Sequence, residues 1–423
     1  MDPVTICRYA LSLSAAAALL PGCGGSQPPT AAPETMARTQ RVDTSVPDGF
    51  GPSSRLVPLN GALYGTTFGG GAGGQGTIYR MTTRGEEKVV YSFAVGCPAR
   101  RKCADGTDPT SLVGLNGVLY GTTGGGGSGN CAKGCGTFFS ATASGQESVL
   151  YSYNGGGCGH PHRCADARFP NGLTAIHGNG GTLFGASWYG GECGQGTVFS
   201  VTTSGVEKVL KSFSFGKACG AGPYPYGRFA DIDGTLYGTD ALGGAHNAGF
   251  VFSISKTGRM KVLYSFDLPQ GDYNAGLNDG LIDVNGVLYG ATANGGTYNE
   301  GTVFSLTTRG VMTVVYSFGA GCQPKKRCSD GEYPDSSLIA VRGTLYGVTS
   351  GGGKHASGTL YGISTSGSEK VLYNFRSADG VPEGVLTHLN SSLWGTTNHG
   401  ICGGGMVFGI TFNGLVRAAH SFC

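Results

Sequence analysis

Three short loops of this chain enclose basic residues between two cysteines: CPARRKC (97–103), CGHPHRC (158–164) and CQPKKRC (322–328). Oxidation within each loop would present Arg100, Arg101 and Lys102, then His160, His162 and Arg163, then Lys325, Lys326 and Arg327, on a rigid ring that lowers the ordering cost of binding. Cations held this way suit a partner with anionic groups, such as an acidic polysaccharide or a phosphate. Asp105, Asp166 and Asp330 lie just downstream and would offset part of the charge, so solvated loops are the plainer reading. A zinc site from Cys131, Cys135, Cys158 and Cys164 with His160 or His162 is the competing reading of the second loop. The first and third loops repeat the spacing without histidine, which argues for disulfides and no metal.

Other candidates for chemistry are sparse. The chain has no G-x-S-x-G, H-E-x-x-H, P-loop or EF-hand pattern, and its glycine runs do not open helices. No catalytic residue and no cofactor is assigned. Of the eight histidines only His160 and His162 have ligand spacing. Asp240 with His246, and His399 beside Asn398, could face a common pocket, although loop polarity explains them as well. Trp188 and Tyr189, in ASWYGGECG, are the aromatic residues best placed to stack on a sugar.

The elements that carry these residues repeat. An LYG-like triplet occurs at Leu63, Leu119, Leu183, Leu236, Leu288, Leu345 and Leu393, and around each stand four segments of five to seven residues rich in Val, Leu, Phe, Tyr and Thr. In the second copy they are SLVGL, VLYGTT, GTFFSAT and ESVLYSY. Segments of that composition are strands, and four strands repeated seven times predict an all-β, seven-bladed β-propeller. Asn60-Gly61, Asn116-Gly117, Asp233-Gly234 and Asn285-Gly286 are two-residue hairpin turns between first and second strands. Such turns cannot carry the chain to the next blade, so a longer join must. The glycine within each second strand, Gly121 and its equivalents, is expected where neighbouring backbones approach or the strand bends. The aromatic residue before it should pack between blades.

The order strand, tight turn, strand ending in Gly-Gly, long loop, strand, turn, strand is similar to the kelch repeat. That resemblance implies that the crossover follows YSF and that SLVGL is innermost. The composite NGxLYGTTxxGGxxxxGTVFxxTxxGxxxVLYSF resembles more closely the GloVer tandem repeat of bacterial exported proteins, over residues 48–422. The resemblance brings no biochemical activity with it. Asp240 departs from the pattern, standing where the other copies have Thr or Ser.

Composition agrees with a turn-rich β protein. Of 423 residues 80 are glycine without a period of three, 39% are hydrophobic, and the net charge of +3 is too small to point to nucleic acid. Arg8 and the apolar run 10–20 lead to LLPGC, which resembles a bacterial lipoprotein signal with Cys23 lipidated; a plain signal peptide is the alternative. Residues 1–22 are thus expected to be the signal, 23–47 a Pro/Ala/Thr-rich tether, and 48–423 the propeller.

Strand direction gathers the Asn-Gly and Thr/Ser-Gly turns at one face and the long loops at the other. Every one of the twelve remaining cysteines falls on the long-loop face. The pairings expected are Cys97–Cys103, Cys158–Cys164, Cys322–Cys328, Cys193–Cys219, Cys402–Cys423 and Cys131–Cys135, with exchange open among Cys131, Cys135, Cys158 and Cys164. The expectation is a monomeric, exported, lipid-anchored binding module at the cell envelope, outside the cytoplasm and free of nucleic acid. It would take an envelope polysaccharide or protein on the long-loop face and touch the membrane only through its lipid. An extracellular polysaccharide hydrolase or lyase, or a structural surface protein, are the alternatives.

Overall fold

The computed structural model describes residues 48–97, 102–154, 164–176, 180–214, 224–267, 276–277, 280–320, 322, 328–334 and 336–423. Seven antiparallel sheets follow one another along the chain, and in each the strands pair in sequence order. The second blade is Thr107–Leu115, Val118–Gly125, Thr137–Ala141 and Glu147–Ser152; the seventh is Pro382–Leu389, Ser392–Thr397, Met406–Thr411 and Val416–Ser421. In the first blade the inner strand is split into Gly49–Pro52 and Val57–Leu59, both paired with Ala62–Gly70. The protein is therefore a seven-bladed β-propeller of four-stranded blades.

Turn chemistry sets the hairpins. Asn60 and Gly61, Asn116 and Gly117, and Asp233 and Gly234 all have positive φ, the backbone that a two-residue type I′ turn demands. The chain then returns through the third and fourth strands and crosses to the inner strand of the next blade.

The core is divided among the joints. Seven clusters of buried apolar side chains each combine residues of two successive blades; Tyr64, Ile78 and Phe93 meet Leu112, Leu119 and Phe139, for example. Tyr120, Phe184, Tyr237 and Tyr289, which precede the strand glycines, lie in such clusters, as packing between blades requires. Inner strands are also laced together: Ser53 Oγ donates to Pro109 O (2.8 Å), Thr110 Oγ1 to Pro170 O (2.7 Å) and Asn171 Nδ2 to Pro225 O (2.8 Å).

Gly121 answers to the expected approach of a neighbouring backbone and to a second cause. A Cβ there would lie 2.3 Å from the ring of Phe139, its cross-strand partner, and 2.6 Å from Ser111 O. Glycine makes room for the first strand's carbonyl and for a ring from the third strand, both of its own blade. Gly65 under Tyr79 and Gly395 under Phe408 repeat the arrangement.

Ring closure uses no exchanged strand among the described residues. The first and last blades are joined by Gly51 N donating to Gly404 O (2.7 Å) and Thr387 Oγ1 donating to Leu56 O (2.6 Å). A shared cluster of Leu56, Leu63 and Tyr79 with Trp394, Val407 and Phe422 completes the contact. The segment 41–46, where the sequence admits an extra edge strand, lies outside the described residues, as do Cys23, the signal and the tether.

Candidate binding face

The second strand of each blade runs from the tight hairpin towards the long-loop face, so its last residues and the residues opposite them form the rim of that face. Aromatic side chains gather there. Trp188 is 41% exposed. Tyr189, on the same strand, meets Phe169 edge-on at 5.9 Å and Tyr224 of the next blade at 6.5 Å. The Arg168 guanidinium lies 4.9 Å from the centre of the Phe169 ring. Exposed Phe50 and Phe68 form a second edge-on pair at 5.4 Å in the first blade, and Tyr333 is exposed in the sixth. Phe169 and Tyr333 both have positive φ, so local backbone geometry turns each out at the rim.

Two of the three basic loops are closed as their spacing implies. Cys97–Cys103, Cys131–Cys135, Cys322–Cys328 and Cys402–Cys423 are disulfides, which excludes the zinc reading of Cys131 and Cys135. Cys193 is disulfide-bonded as well, while its expected partner Cys219 lies outside the described residues. So do Cys158 and the side chain of Cys164. Lys102 is exposed. Arg100, Arg101, His160, His162, Arg163, Lys325, Lys326 and Arg327 lie outside the described residues. The disulfides are those of an exported protein.

The aspartates downstream of these loops have another task than neutralising them. Asp105 accepts from Tyr91 Oη (2.9 Å) and Ala94 N (2.8 Å), and Asp166 accepts from Tyr151 Oη (3.0 Å) and Asn154 N (2.6 Å). Asp330 does the same with Tyr316 Oη (2.9 Å) and Gly319 N (3.0 Å), and Asp379 with Tyr373 Oη (3.0 Å) and Arg376 N (2.9 Å). Each clasp ties the outer strand of one blade to the entry of the next. In three of them a glutamate from the next blade's outer strand stands close by. Burial, reinforced by the neighbouring aspartate, raises Glu147 to about 7, Glu207 to about 8 and Glu369 to about 7.

Asp240, His246 and His399 do not meet in a common pocket. Asp240 is fully buried and accepts from Tyr224 N (2.9 Å) and Leu242 N (3.1 Å); its Oδ2 has no hydrogen-bond partner. Five other blades place a Thr/Ser–Thr hydroxyl pair at this position, such as Thr67 with Thr77 at 2.8 Å. In the fourth blade Phe250 faces Asp240, so the hydroxyl partner is gone and the carboxyl turns to the backbone. Burial pushes that carboxyl up to about 8 against the two backbone donors. His246 pairs with Asp267 at 3.8 Å, and His399 Nδ1 bonds Asn398 Oδ1 at 2.7 Å.

Sequence reasoning missed the axial channel. A cavity of about 650 Å³ lies among the inner strands and reaches the Asn116–Gly117 turn, so it extends towards the tight-turn face. Arg55, Arg228, Asp231 and Asp283 contribute its charge. Charged residues within an otherwise apolar inner segment, as in ADI and LIDV, were the available signal.

Seven blades about a channel, with variable loops collected at one end, make this an all-β propeller with a dedicated loop face. Residues 132–328 and 278–423 match the Gloeobacter/Verrucomicrobia repeat, and the chain belongs to that family. Among solved structures it is similar to a puromycin hydrolase at 11% identity and a TM-score of 0.52, over 90% of this chain and 54% of that one. The chain thus spans about half the length of that enzyme. It is also similar to Sqt1 of Saccharomyces cerevisiae, at 12% identity and a TM-score of 0.49, over 89% of this chain and 87% of that one. Likeness at these identities is one of fold. No curated protein matches the chain.

Proposed function

We propose that this exported propeller is a lipid-anchored binding module of the cell envelope, which takes an anionic polysaccharide on its long-loop face. The carrying observation is the aromatic rim, with exposed Trp188 beside the edge-on group Phe169, Tyr189 and Tyr224. Aromatic faces stack on the apolar faces of sugar rings, and cations on the adjoining loops would hold acidic substituents. Rigid presentation supports this: the described loop ends are closed by disulfides, and the clasps fix the strands that carry them. Cys23 would supply the lipid.

A screen of the purified propeller against envelope polysaccharides tests the reading. Binding without product release supports a module, and release of shortened chains would instead favour a hydrolase or lyase. Trp188→Ala with Tyr189→Ala should weaken binding roughly tenfold or more, since stacking on an aromatic ring contributes on the order of 1 kcal/mol each. Unchanged affinity in that double variant would remove the rim from the site.

A further inference from the structure

At the joint between the last and first blades the clasp changes chemistry. The outer strand of the seventh blade carries His420 where four others carry the tyrosine of the clasp, Tyr91, Tyr151, Tyr316 and Tyr373. Asp48 takes the place of the clasp aspartate, and Glu87 that of Glu147, Glu207 and Glu369. In the tyrosine joints a phenol donates to the aspartate at 2.9–3.0 Å, while Glu147, Glu207 and Glu369 each keep an Oε1 without a hydrogen-bond partner, so what sets this joint apart is the imidazole. Here no such bond forms. His420 Nε2 stands 3.5 Å from Asp48 Oδ2, and both His420 Nε2 and Glu87 Oε1 are buried without a hydrogen-bond partner. Asp48 Oδ1 is already held by Gly49 N (2.9 Å), which leaves Oδ2 facing the imidazole.

We propose that Asp48, Glu87 and His420 form a divalent-metal site, of the zinc class, that staples the ring shut. One ligand atom from each lies within 4.8 Å of the other two. Donor atoms on one tetrahedral zinc sit about 3.3 Å apart, so the His420–Asp48 spacing already fits and Glu87 has only to draw in. Two carboxylates and a neutral imidazole balance a dication and select a transition ion over calcium or magnesium, which prefer oxygen alone. Among the described residues the other convergent group, Glu300 with Cys322 and Cys328, has its sulfurs committed to a disulfide. The tyrosine joints share the buried carboxyl pair and lack the nitrogen. The function served is closure: neither a shared strand nor a covalent bond links the described parts of blades one and seven, and an ion bound only by the folded ring stabilises it by mass action.

The test titrates zinc into the full chain after chelation, reading stoichiometry by calorimetry and the thermal midpoint in parallel, with cobalt as a visible-absorption probe. The proposal expects one equivalent bound, a midpoint raised by zinc and not by magnesium, and a cobalt spectrum with nitrogen and oxygen ligands. His420→Tyr recreates the clasp of the neighbouring joints, so it should fold and lose the zinc response; Glu87→Gln, nearly isosteric, should lose it as well. A zinc response that survives in both variants would place the ion elsewhere and overturn the proposal. Absence of stoichiometric binding in the parent chain would overturn it too, leaving the joint a plain His420–Asp48 contact.

Discussion

The two faces of the ring are made by the same repeat and obey different constraints. At the tight-turn face the turns between third and fourth strands press on the blade before: a Cβ on Gly145 would sit 1.8 Å from Val90 O, and one on Gly205 would sit 2.2 Å from Leu150 O, whereas the hairpin glycines Gly61 and Gly117 meet nothing within 4 Å. At the long-loop face Gly74 has the same left-handed backbone, and a Cβ there meets nothing within 4 Å. The tight-turn end is fixed by its outer turns and the long-loop end by the Tyr–Asp clasps; only the loop tips beyond the clasps are free to vary. A single repeat can therefore keep its ring and change its surface.

The largest effect should separate those two glycines. Gly145→Ala combines strained φ with a backbone clash and should lower stability by about 3 kcal/mol, against about 1 kcal/mol for Gly74→Ala, where only φ is at issue. Denaturant midpoints of the two variants measure this, and equal losses would break the comparison.

Next in size are the disulfides of the loop face. Cys402–Cys423 spans 21 residues and fastens the last strand, whereas Cys97–Cys103 spans six. Loop-closure entropy makes them worth about 3 and about 2 kcal/mol. Cys423→Ser should therefore lower the thermal midpoint more than Cys97→Ser, and the reverse order would show that the C-terminal strand is held by packing alone.

A pH-graded effect follows from the buried carboxyls of three joints and of Asp240. Glu147, Glu207, Glu369 and Asp240 hold their protons to about pH 7 or 8 in the folded chain. The unfolded chain releases them near 4, so between those limits the folded state binds more protons. Their contribution is complete below about pH 4 and is lost as pH rises through 7 to 8. The thermal midpoint should accordingly fall between pH 5 and 8, and Asp240→Asn should flatten part of that slope. A midpoint that rises over the same interval would contradict the protonated carboxyls.

Architecture was legible in the sequence because it rests on local signals. Asn116-Gly117 fixes a turn within two residues, LYG marks a strand, and CPARRKC closes on itself. What was misread depends on partners far along the chain. At Gly121 the sequence showed the need for a close approach but not the Phe139 ring, which comes from another strand. Asp105 looked like a loop counter-charge because the Tyr91 hydroxyl that binds it belongs to the previous blade. His420 meets Asp48 and Glu87 of the first blade only when the ring closes, and no spacing rule joins them.

Charge on the two faces offers the most direct test of the loop face as the binding surface. The tight turns carry exposed Arg84, Arg259 and Arg309, a basic set comparable to the loop set. Binding to an anionic envelope polysaccharide should be measured against salt for the parent chain and two variants. One variant replaces Arg100, Arg101, Lys325 and Lys326 with serine, and the other replaces Arg84, Arg259 and Arg309. The account predicts that binding weakens with salt, because surface charges are screened within about 8 Å at physiological ionic strength. It predicts loss in the loop variant, near-parent affinity in the turn variant, and unchanged thermal midpoints in both. Equal loss in the two variants, or loss confined to the turn variant, would contradict it.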